Sequence, residues 1–430
     1  MRSYKKTGTR KVPSILLGIV TICWVYSLVT GYTSSPHASE HSFALLREAD
    51  VALRVTRELE NKSSLAKVLF HYQPREEILE EILGEFEKGA NKNLLDDEAL
   101  QAYKYLKICH TLDPTDVETE VIEKNSETNV LWSWEAEVLR LSNKTFNEAT
   151  ELALEDDRDD DASTYRLSLL TPYLSYFVFL IGLPFIGCAL RTFKAAGKVE
   201  ARPIIRQWNW QTLLTIILGI GLVDTHIFTL AYLLPDSIWM LAPNFFEILV
   251  DGAWRFLIPV VLICYFITHW RHVAPLLGLD KAPQLKPILG MMSLTVIFDD
   301  ILFRIFNALG EISWATISSR EDGLSGLIYA LLSAVIFAPI AEEIIYRAFL
   351  YRGLRNRFSY QWAIVLSTLF FVLIHYYGWY GSLSVAVFGI TAVPLYMATR
   401  SLWTPIIYHA LSNLLITACS WPLYHGFYSL

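Results

Sequence analysis

The sequence predicts an all-α protein, a polytopic membrane bundle of helices with an extramembrane helical domain after the first span. Of its 430 residues, 53% are apolar and only 18% are charged, which is too apolar for an ordinary soluble domain. Residues 34–165 contain 30 Asp and Glu against 14 Lys and Arg, a net charge of −16, so the rest of the chain must carry +9 to give the total of −7. This division indicates two compartments and excludes a nucleic-acid binder and a secreted globule.

Residues 1–33 are predicted to form a basic cytoplasmic tail and a signal anchor. Five Lys and Arg precede residue 12, and an uncharged run from Val12 to Tyr32 follows them. A run of roughly 18 or more apolar residues can span a bilayer, whereas a cleaved signal peptide has a shorter apolar region. We therefore favour an uncleaved anchor over a cleaved signal.

Residues 34–165 are predicted to form an acidic helical domain outside the cytoplasm. The segment from Arg75 to Leu83 places apolar residues at helical spacing between Glu residues. The run from Glu155 to Asp161 is nearly all carboxylate and predicts a solvated linker, because such a density of like charge cannot pack. Cys109 is the domain's one cysteine, so no disulfide is available within it, which favours a bacterial host.

Eight further apolar runs follow, and we predict that residues 166–310 are accessory transmembrane helices and residues 311–430 the core that carries the candidate site described below. The predicted spans are Leu167–Leu190, Trp208–Leu234, Phe245–Trp270, Pro287–Leu309, Leu324–Leu350, Gln361–Tyr377, Ser382–Thr399 and Leu402–Ser420. The fifth and sixth of these eight contain ionisable residues and could be broken or re-entrant.

Basic residues gather in alternate loops and set the predicted orientation. They are Arg191, Lys194, Lys198, Arg202, Arg206, Arg271, Lys281, Lys286, Arg352, Arg355, Arg357 and Arg400. The intervening loops 235–244, 311–323 and 378–381 hold only Arg320. The positive-inside rule then predicts a multi-pass protein of the cell inner membrane with a cytoplasmic amino terminus.

Ionisable and amide side chains on three of the last four predicted spans are candidates for a functional site. They are Glu342, Glu343, Arg347, His375, His409 and Asn413. Each charged group costs roughly 3 kcal/mol or more at the bilayer centre unless it is paired or faces a polar cavity. Separate packing roles could account for each residue alone, but one shared polar cavity accounts for all of them.

These residue types in one cavity suit hydrolysis. Glu342 could take a proton from a water bound to His375, while His409 and Asn413 donate to the oxyanion that develops. Arg347 would position Glu343, with which it shares an i, i+4 face. Alternatively, Glu342, His375 and His409 could hold a divalent metal such as Zn²⁺, with Glu343 as the base. The sequence leaves these two mechanisms open.

The combined motifs resemble those of the CPBP (Abi) family of intramembrane proteases, which includes the type II CAAX prenyl endopeptidases. The pattern EExxxR, FxxxH, HxxxN is matched by Glu342, Glu343 and Arg347, by Phe371 and His375, and by His409 and Asn413. The resemblance implies cleavage of a peptide bond in a membrane-associated protein or peptide, by a metalloprotease or a metal-free glutamate mechanism. Prenylated substrates would require a eukaryotic host, and bacteriocins or exported proteins a bacterial one.

Other charged residues in the spans favour a second interpretation. Glu247, Asp251 and Arg255 follow i, i+4, i+8 spacing, Asp300 and Arg304 are four apart, and Asp224 and His226 lie in an earlier span. Ion pairing between helices is the favoured role, and a proton or solute path in a transporter is the alternative. A catalytically silent scaffold with a partner-binding outer domain is a third reading. Besides a substrate, the expected partners are membrane lipids, with no nucleic acid.

Overall fold

The prediction of an all-α multi-pass membrane protein is confirmed. The computed structural model describes residues 14–33, 75–91, 100, 103, 173–199, 210–231, 243–267, 269–308, 323–375 and 377–425. Most of the described residues are helical, and no strand occurs among them. Within the described ranges, three helices are long and apolar enough to cross a membrane, Leu174–Ala196, Gly326–Arg355 and Trp379–Thr399, and a bent helix pair would make a fourth.

One compact unit contains all of the residues predicted as the acidic domain, together with residues 313–324 and 418–430. Within the predicted domain a helix spans Arg75–Asn91, where the apolar spacing predicts one. Ile82 and Phe86 are four residues apart and buried, so the apolar stripe is the packed face. The acidic run from Glu155 to Asp161 and Cys109 lie outside the described residues, and the extent of the domain stays a prediction.

The other compact unit holds the first helix, the predicted accessory helices and most of residues 311–430, up to Thr417. In chain order, with α2 assigned to Arg75–Asn91, the helices are α1 Ser14–Thr33, α3 Leu174–Gly182, α4 Ile186–Ala196, α5 Trp210–Ala231, α6 Pro243–Phe266, α7 Val273–Leu277, α8 Leu285–Ala308, a long site helix defined below, α9 Tyr360–Leu373, α10 Trp379–Thr399 and α11 Trp403–His425. A short 3₁₀ turn, Leu183–Phe185, joins α3 to α4, so the two form one apolar span.

Two predicted spans differ from the observed helices. The predicted span Phe245–Trp270 ends as a helix at Phe266, and the short helix α7 follows after a break. The predicted span Gln361–Tyr377 is helical only to Leu373. The fourteen residues of α9 extend about 21 Å, less than the roughly 30 Å of a bilayer core. This helix is therefore too short to cross the membrane by itself.

The accessory span α3–α4 packs closely against α8 through glycine. A methyl group on Gly290 would overlap the carbonyl oxygen of Phe185, and one on Gly182 would overlap that of Leu289. The hydroxyl of Ser293 also donates to the carbonyl of Phe179 over 2.7 Å. Small residues permit this backbone approach in the way that is common between membrane helices.

The site helix runs through five consecutive segments, two of which are π-helical. These segments are Gly323–Ala330, the π-helical Leu331–Phe337, Ala338–Glu342, the π-helical Glu343–Tyr351, and Arg352–Arg355. Every residue of the second π segment is buried. π-Helical turns are rare and concentrate at functional sites, and the second one begins at Glu343.

A backbone contact fixes the start of α11, the helix that carries His409. Gly278, after α7, has a φ of 83°, a left-handed conformation that glycine adopts without strain. Its carbonyl accepts from the Leu402 amide over 3.1 Å, and the Ser401 hydroxyl donates to the Lys281 carbonyl over 2.9 Å. The loop after α7 therefore anchors the turn between α10 and α11.

Candidate active site

Glu343 is the centre of a fully buried polar network. Its side chain has no solvent exposure, and its Oε2 lies 3.0 Å from Nε of Arg347, one turn further along the site helix. Its Oε1 lies 3.0 Å from Nδ1 of His409 on α11. A buried carboxylate needs both a counter-charge and hydrogen bonds, and these two neighbours provide them. The network also joins the site helix to α11.

Arg347 is enclosed by aromatic rings as well as by its carboxylate. Its guanidinium carbon lies 4.4 Å from the centre of the Phe371 ring and 5.4 Å from that of Phe388. Among the described residues, none of its three nitrogens has a hydrogen-bond acceptor, so the contact of Nε with Glu343 Oε2 is an ion pair without hydrogen-bond geometry. The ring faces take that place, because a desolvated cation is attracted by the aromatic quadrupole. This contact gives a physical role to the phenylalanine of the FxxxH motif.

Glu342 points to different partners from its neighbour Glu343. Its Oε1 lies 3.6 Å from Nη1 of Arg255 on α6, and its Oε2 lies 3.9 Å from Nε2 of His409. Oε2 is buried and has no hydrogen-bond donor among the residues that the structure describes. The side chain is 13% exposed, whereas that of Glu343 is fully enclosed. Glu342 is therefore the less enclosed of the two carboxylates.

His375 lies in the turn that follows α9, not within a span as the sequence predicts. Its Nδ1 is 2.6 Å from the carbonyl oxygen of Phe371, one of the last carbonyls of the helix, which have no partner within it. A carbonyl oxygen only accepts, so Nδ1 carries the proton and Nε2 is left with a lone pair. The His375 ring lies edge to face with Phe371, with centroids 4.8 Å apart, and the same Phe371 ring lies 6.1 Å from that of His409, centroid to centroid.

His409 and Asn413 lie one turn apart on α11, as the sequence predicts. The side-chain nitrogen of Asn413 donates to the carbonyl oxygen of Ala334 over 2.7 Å, within the first π-helical segment of the site helix. The centroid of the His409 ring lies 4.5 Å from that of Phe388 and 6.1 Å from that of Phe371. The structure therefore brings Glu342, Glu343, Arg347 and His409 together. His375 lies against Phe371, next to this group, and Asn413 lies one turn along α11, where it contacts the site helix.

Glu342, His375 and His409 are not placed as a metal site in the structure. Among the described residues, which include these three, no group of three His, Cys, Asp or Glu side chains is placed to hold a metal ion. Nδ1 of each histidine binds a carbonyl or Glu343, so Nε2 is the ring nitrogen that stays available, as it also is in histidines that bind metals. The mechanism proposed below uses protein groups.

Of the other charged residues predicted in the spans, the structure describes the side chains of Asp300, Arg304 and Arg255. Asp300 and Arg304 on α8 form an ion pair at 2.9 Å, and the Tyr176 hydroxyl donates to Asp300 over 3.2 Å. The side chains of Glu247, Asp251, Asp224 and His226 lie outside the described residues. Arg255, predicted only as a member of an ion-pairing set, contacts the candidate site itself. Its i+8 position on a polar helix face is the sequence signal that could have singled it out.

Comparison with known families supports a protease. Residues 324–415 match the model of the Rce1-like family, type II CAAX prenyl endopeptidases. This match confirms the resemblance that the motifs predict and supports a CAAX-type intramembrane endopeptidase at the level of the family. It covers under a quarter of the chain and contains the six candidate residues Glu342, Glu343, Arg347, His375, His409 and Asn413. No curated protein and no solved structure matches the chain.

Proposed function

We propose that the chain is an intramembrane endopeptidase that hydrolyses a peptide bond of a membrane-associated protein or peptide, with a water activated by Glu342 and His375. The observation that carries the proposal is the buried network of Glu343, Arg347 and His409, which holds His409 Nε2 3.9 Å from Oε2 of Glu342, the less enclosed carboxylate. An arrangement in which one carboxylate is neutralised by its partners and its neighbour is less enclosed suits general-base catalysis.

The first step would be attack by water on the scissile carbonyl carbon. One water proton passes to Glu342, and the water oxygen bonds to the carbon as the carbonyl electrons move to its oxygen. His375 would hold the water through Nε2, the nitrogen with the free lone pair. When both ring nitrogens of His409 carry protons, Nδ1 donates to Glu343 and Nε2 can donate to the oxyanion.

The second step would be collapse of the tetrahedral intermediate. The carbonyl reforms, the bond to the amine nitrogen breaks, and the proton held by Glu342 passes to that nitrogen. Asn413 would support the oxyanion with the second hydrogen of its amide, since the first is donated to Ala334. Arg347 contributes by holding Glu343, and it takes no part in proton transfer.

The setting that we propose is the cell inner membrane, with the amino terminus in the cytoplasm. Support comes from the alternation of basic loops. The domains would be the tail and anchor 1–33, the outer acidic domain 34–165, the accessory helices 166–310 and the protease core 311–430. A prenylated CAAX protein is the substrate class indicated by the family match, and an exported or bacteriocin-like peptide is the substrate that a bacterial host would offer.

The test is a proteomic comparison of membrane-protein termini in cells that express the wild-type chain, Glu342→Ala or His375→Ala. We expect new termini only with the wild-type chain, because loss of a catalytic base lowers the rate by about 10²- to 10⁴-fold. Arg304→Ala serves as a control, since it removes a charge from α8 away from the site. Identical termini from the wild type and both site variants, at equal expression, would overturn the proposal.

A further inference from the structure

Arg255 reaches the candidate site from a helix that lies outside the family match. It belongs to α6, Pro243–Phe266, whereas the match begins at residue 324. Its Nη1 lies 3.6 Å from Glu342 Oε1, and its Nη2 donates to the hydroxyl of Ser333 over 3.3 Å. Both partners are on the site helix, on either side of the junction after its first π-helical segment. One guanidinium group therefore bridges the catalytic carboxylate and a second point of the same helix.

Close packing of α6 against the site helix holds the backbone of Arg255 near Glu342. A methyl group on Gly252 would come within 2.9 Å of the Phe337 ring, so only glycine allows this approach without a shift. One turn further along, the ring of Phe256 meets the same Phe337 ring edge to face, with centroids 6.0 Å apart. Arg255 lies between these two contacts in sequence, and its backbone is therefore held close to the site helix.

The contact also distinguishes the two oxygens of Glu342. With Oε1 turned to Arg255, Oε2 is the oxygen next to His409 Nε2, and it has no hydrogen-bond donor among the described residues. A carboxylate without such an anchor rotates freely about its terminal torsion, which is a broad, two-fold one. Without the contact to Arg255, the Glu342 carboxylate would adopt several orientations. A displacement of the base by about 1 Å can lower the rate by about 10²-fold.

We propose that Arg255 is a positioning residue for the hydrolytic reaction, supplied by an accessory helix, and that it orients Glu342 by binding Oε1. This inference rests on the proposed function. It implies that the accessory helices are part of the catalytic machinery. The role is one of orientation, because Arg255 is tied to Glu342 and Ser333 at once.

The experiment uses the full chain reconstituted in liposomes. Its probe is the membrane protein whose new terminus appears only with the wild-type chain. For Arg255→Gln we expect kcat to fall by about 10- to 100-fold with KM changed less than about threefold, because orientation affects the reaction step. Arg255→Lys should recover part of the turnover, since it keeps the charge. Arg304→Gln, which breaks an arginine–carboxylate pair on α8, should leave both constants unchanged.

Three results would overturn the positioning role. Wild-type turnover by a folded Arg255→Gln variant would show that the contact is unused. A rise in KM without a fall in kcat would assign Arg255 to substrate binding, and equal losses in the Lys and Gln variants would assign it to folding. If Arg255→Gln does not insert, Ser333→Ala removes the second anchor alone and should lower kcat in the same direction. Equal termini from the wild type and Glu342→Ala would instead refute the proposed function, and this role with it.

Discussion

Replacement of Arg347 by Met should destabilise the protein strongly, because it leaves the buried carboxylate of Glu343 without its cation. The two side chains are 2% and 0% exposed and their charged atoms lie 3.0 Å apart. Removal of one partner from a buried ion pair costs about 3–5 kcal/mol. Met preserves most of the side-chain volume, so the loss reports the charge and the contact with Phe371 more than a cavity.

Because His409 still binds Glu343, the loss of unfolding free energy in Arg347→Met should lie near the lower end of that range. His409 Nδ1 still donates to Glu343 Oε1 at 3.0 Å in the variant, and a hydrogen bond to a charged group contributes about 1.5–3 kcal/mol. We therefore expect about 3 kcal/mol for Arg347→Met. In the double variant Glu343→Gln and Arg347→Met no uncompensated charge remains, so most of this loss should be recovered, with a coupling energy of about 2–3 kcal/mol.

The assay is reversible unfolding of the purified chain in mixed micelles, followed by circular dichroism as the fraction of denaturing detergent rises. Arg304→Met is the matched control, because Arg304 and Asp300 are also four residues apart and lie 2.9 Å from each other, yet their side chains are 58% and 35% exposed. The control should change stability far less. An equal effect of Arg347→Met and Arg304→Met, or strict additivity in the double variant, would refute the reasoning.

Two further predictions concern the oxyanion donors and the accessory helices. His409→Ala and Asn413→Ala should each lower kcat by about 10²-fold or more with a smaller effect on KM, and equal effects on the two constants, measured with the reconstituted chain, would contradict an oxyanion role. Gly290→Ala should lower the unfolding free energy by about 1–3 kcal/mol, because its methyl group would overlap the carbonyl oxygen of Phe185. Gly187→Ala in α4 is the control and should not lower it, because nothing lies within 4 Å of the new methyl group. Equal stability of these two variants would contradict the close packing of α4 and α8.

The sequence predicts the fold class well because apolar runs of this length have few alternatives. Only helices satisfy every backbone polar group within a bilayer. The positions of α9 and His375 were harder to predict, since an apolar run does not distinguish a helix from the turn after it. The segment from Phe371 to Tyr377 is apolar and aromatic apart from His375, yet the helix ends at Leu373 and the histidine binds the Phe371 carbonyl.

The sequence predicts that the candidate residues share one site, because a charged side chain in a membrane is costly in free energy unless it is paired. It predicts only one of the contacts between them. The i, i+4 spacing predicts the contact of Glu343 with Arg347, and the structure contains it. The contact of Glu343 with His409, and that of Glu342 with Arg255, join helices that are distant in sequence. Such pairs depend on how helices pack, and a single sequence carries no direct signal for that.

The balance of charge in the site explains why a helix outside the matched region should be required. Residues 324–415 supply two adjacent carboxylates, Glu342 and Glu343, but Arg347 is paired with the second of them. In a low-dielectric setting, a second carboxylate without a cation is costly. Arg255 provides that cation from α6 while it remains 34% exposed, so it compensates the charge of Glu342 without enclosing it as Arg347 encloses Glu343. The two arginines together compensate both carboxylates and leave Glu342, the proposed base, less enclosed than Glu343.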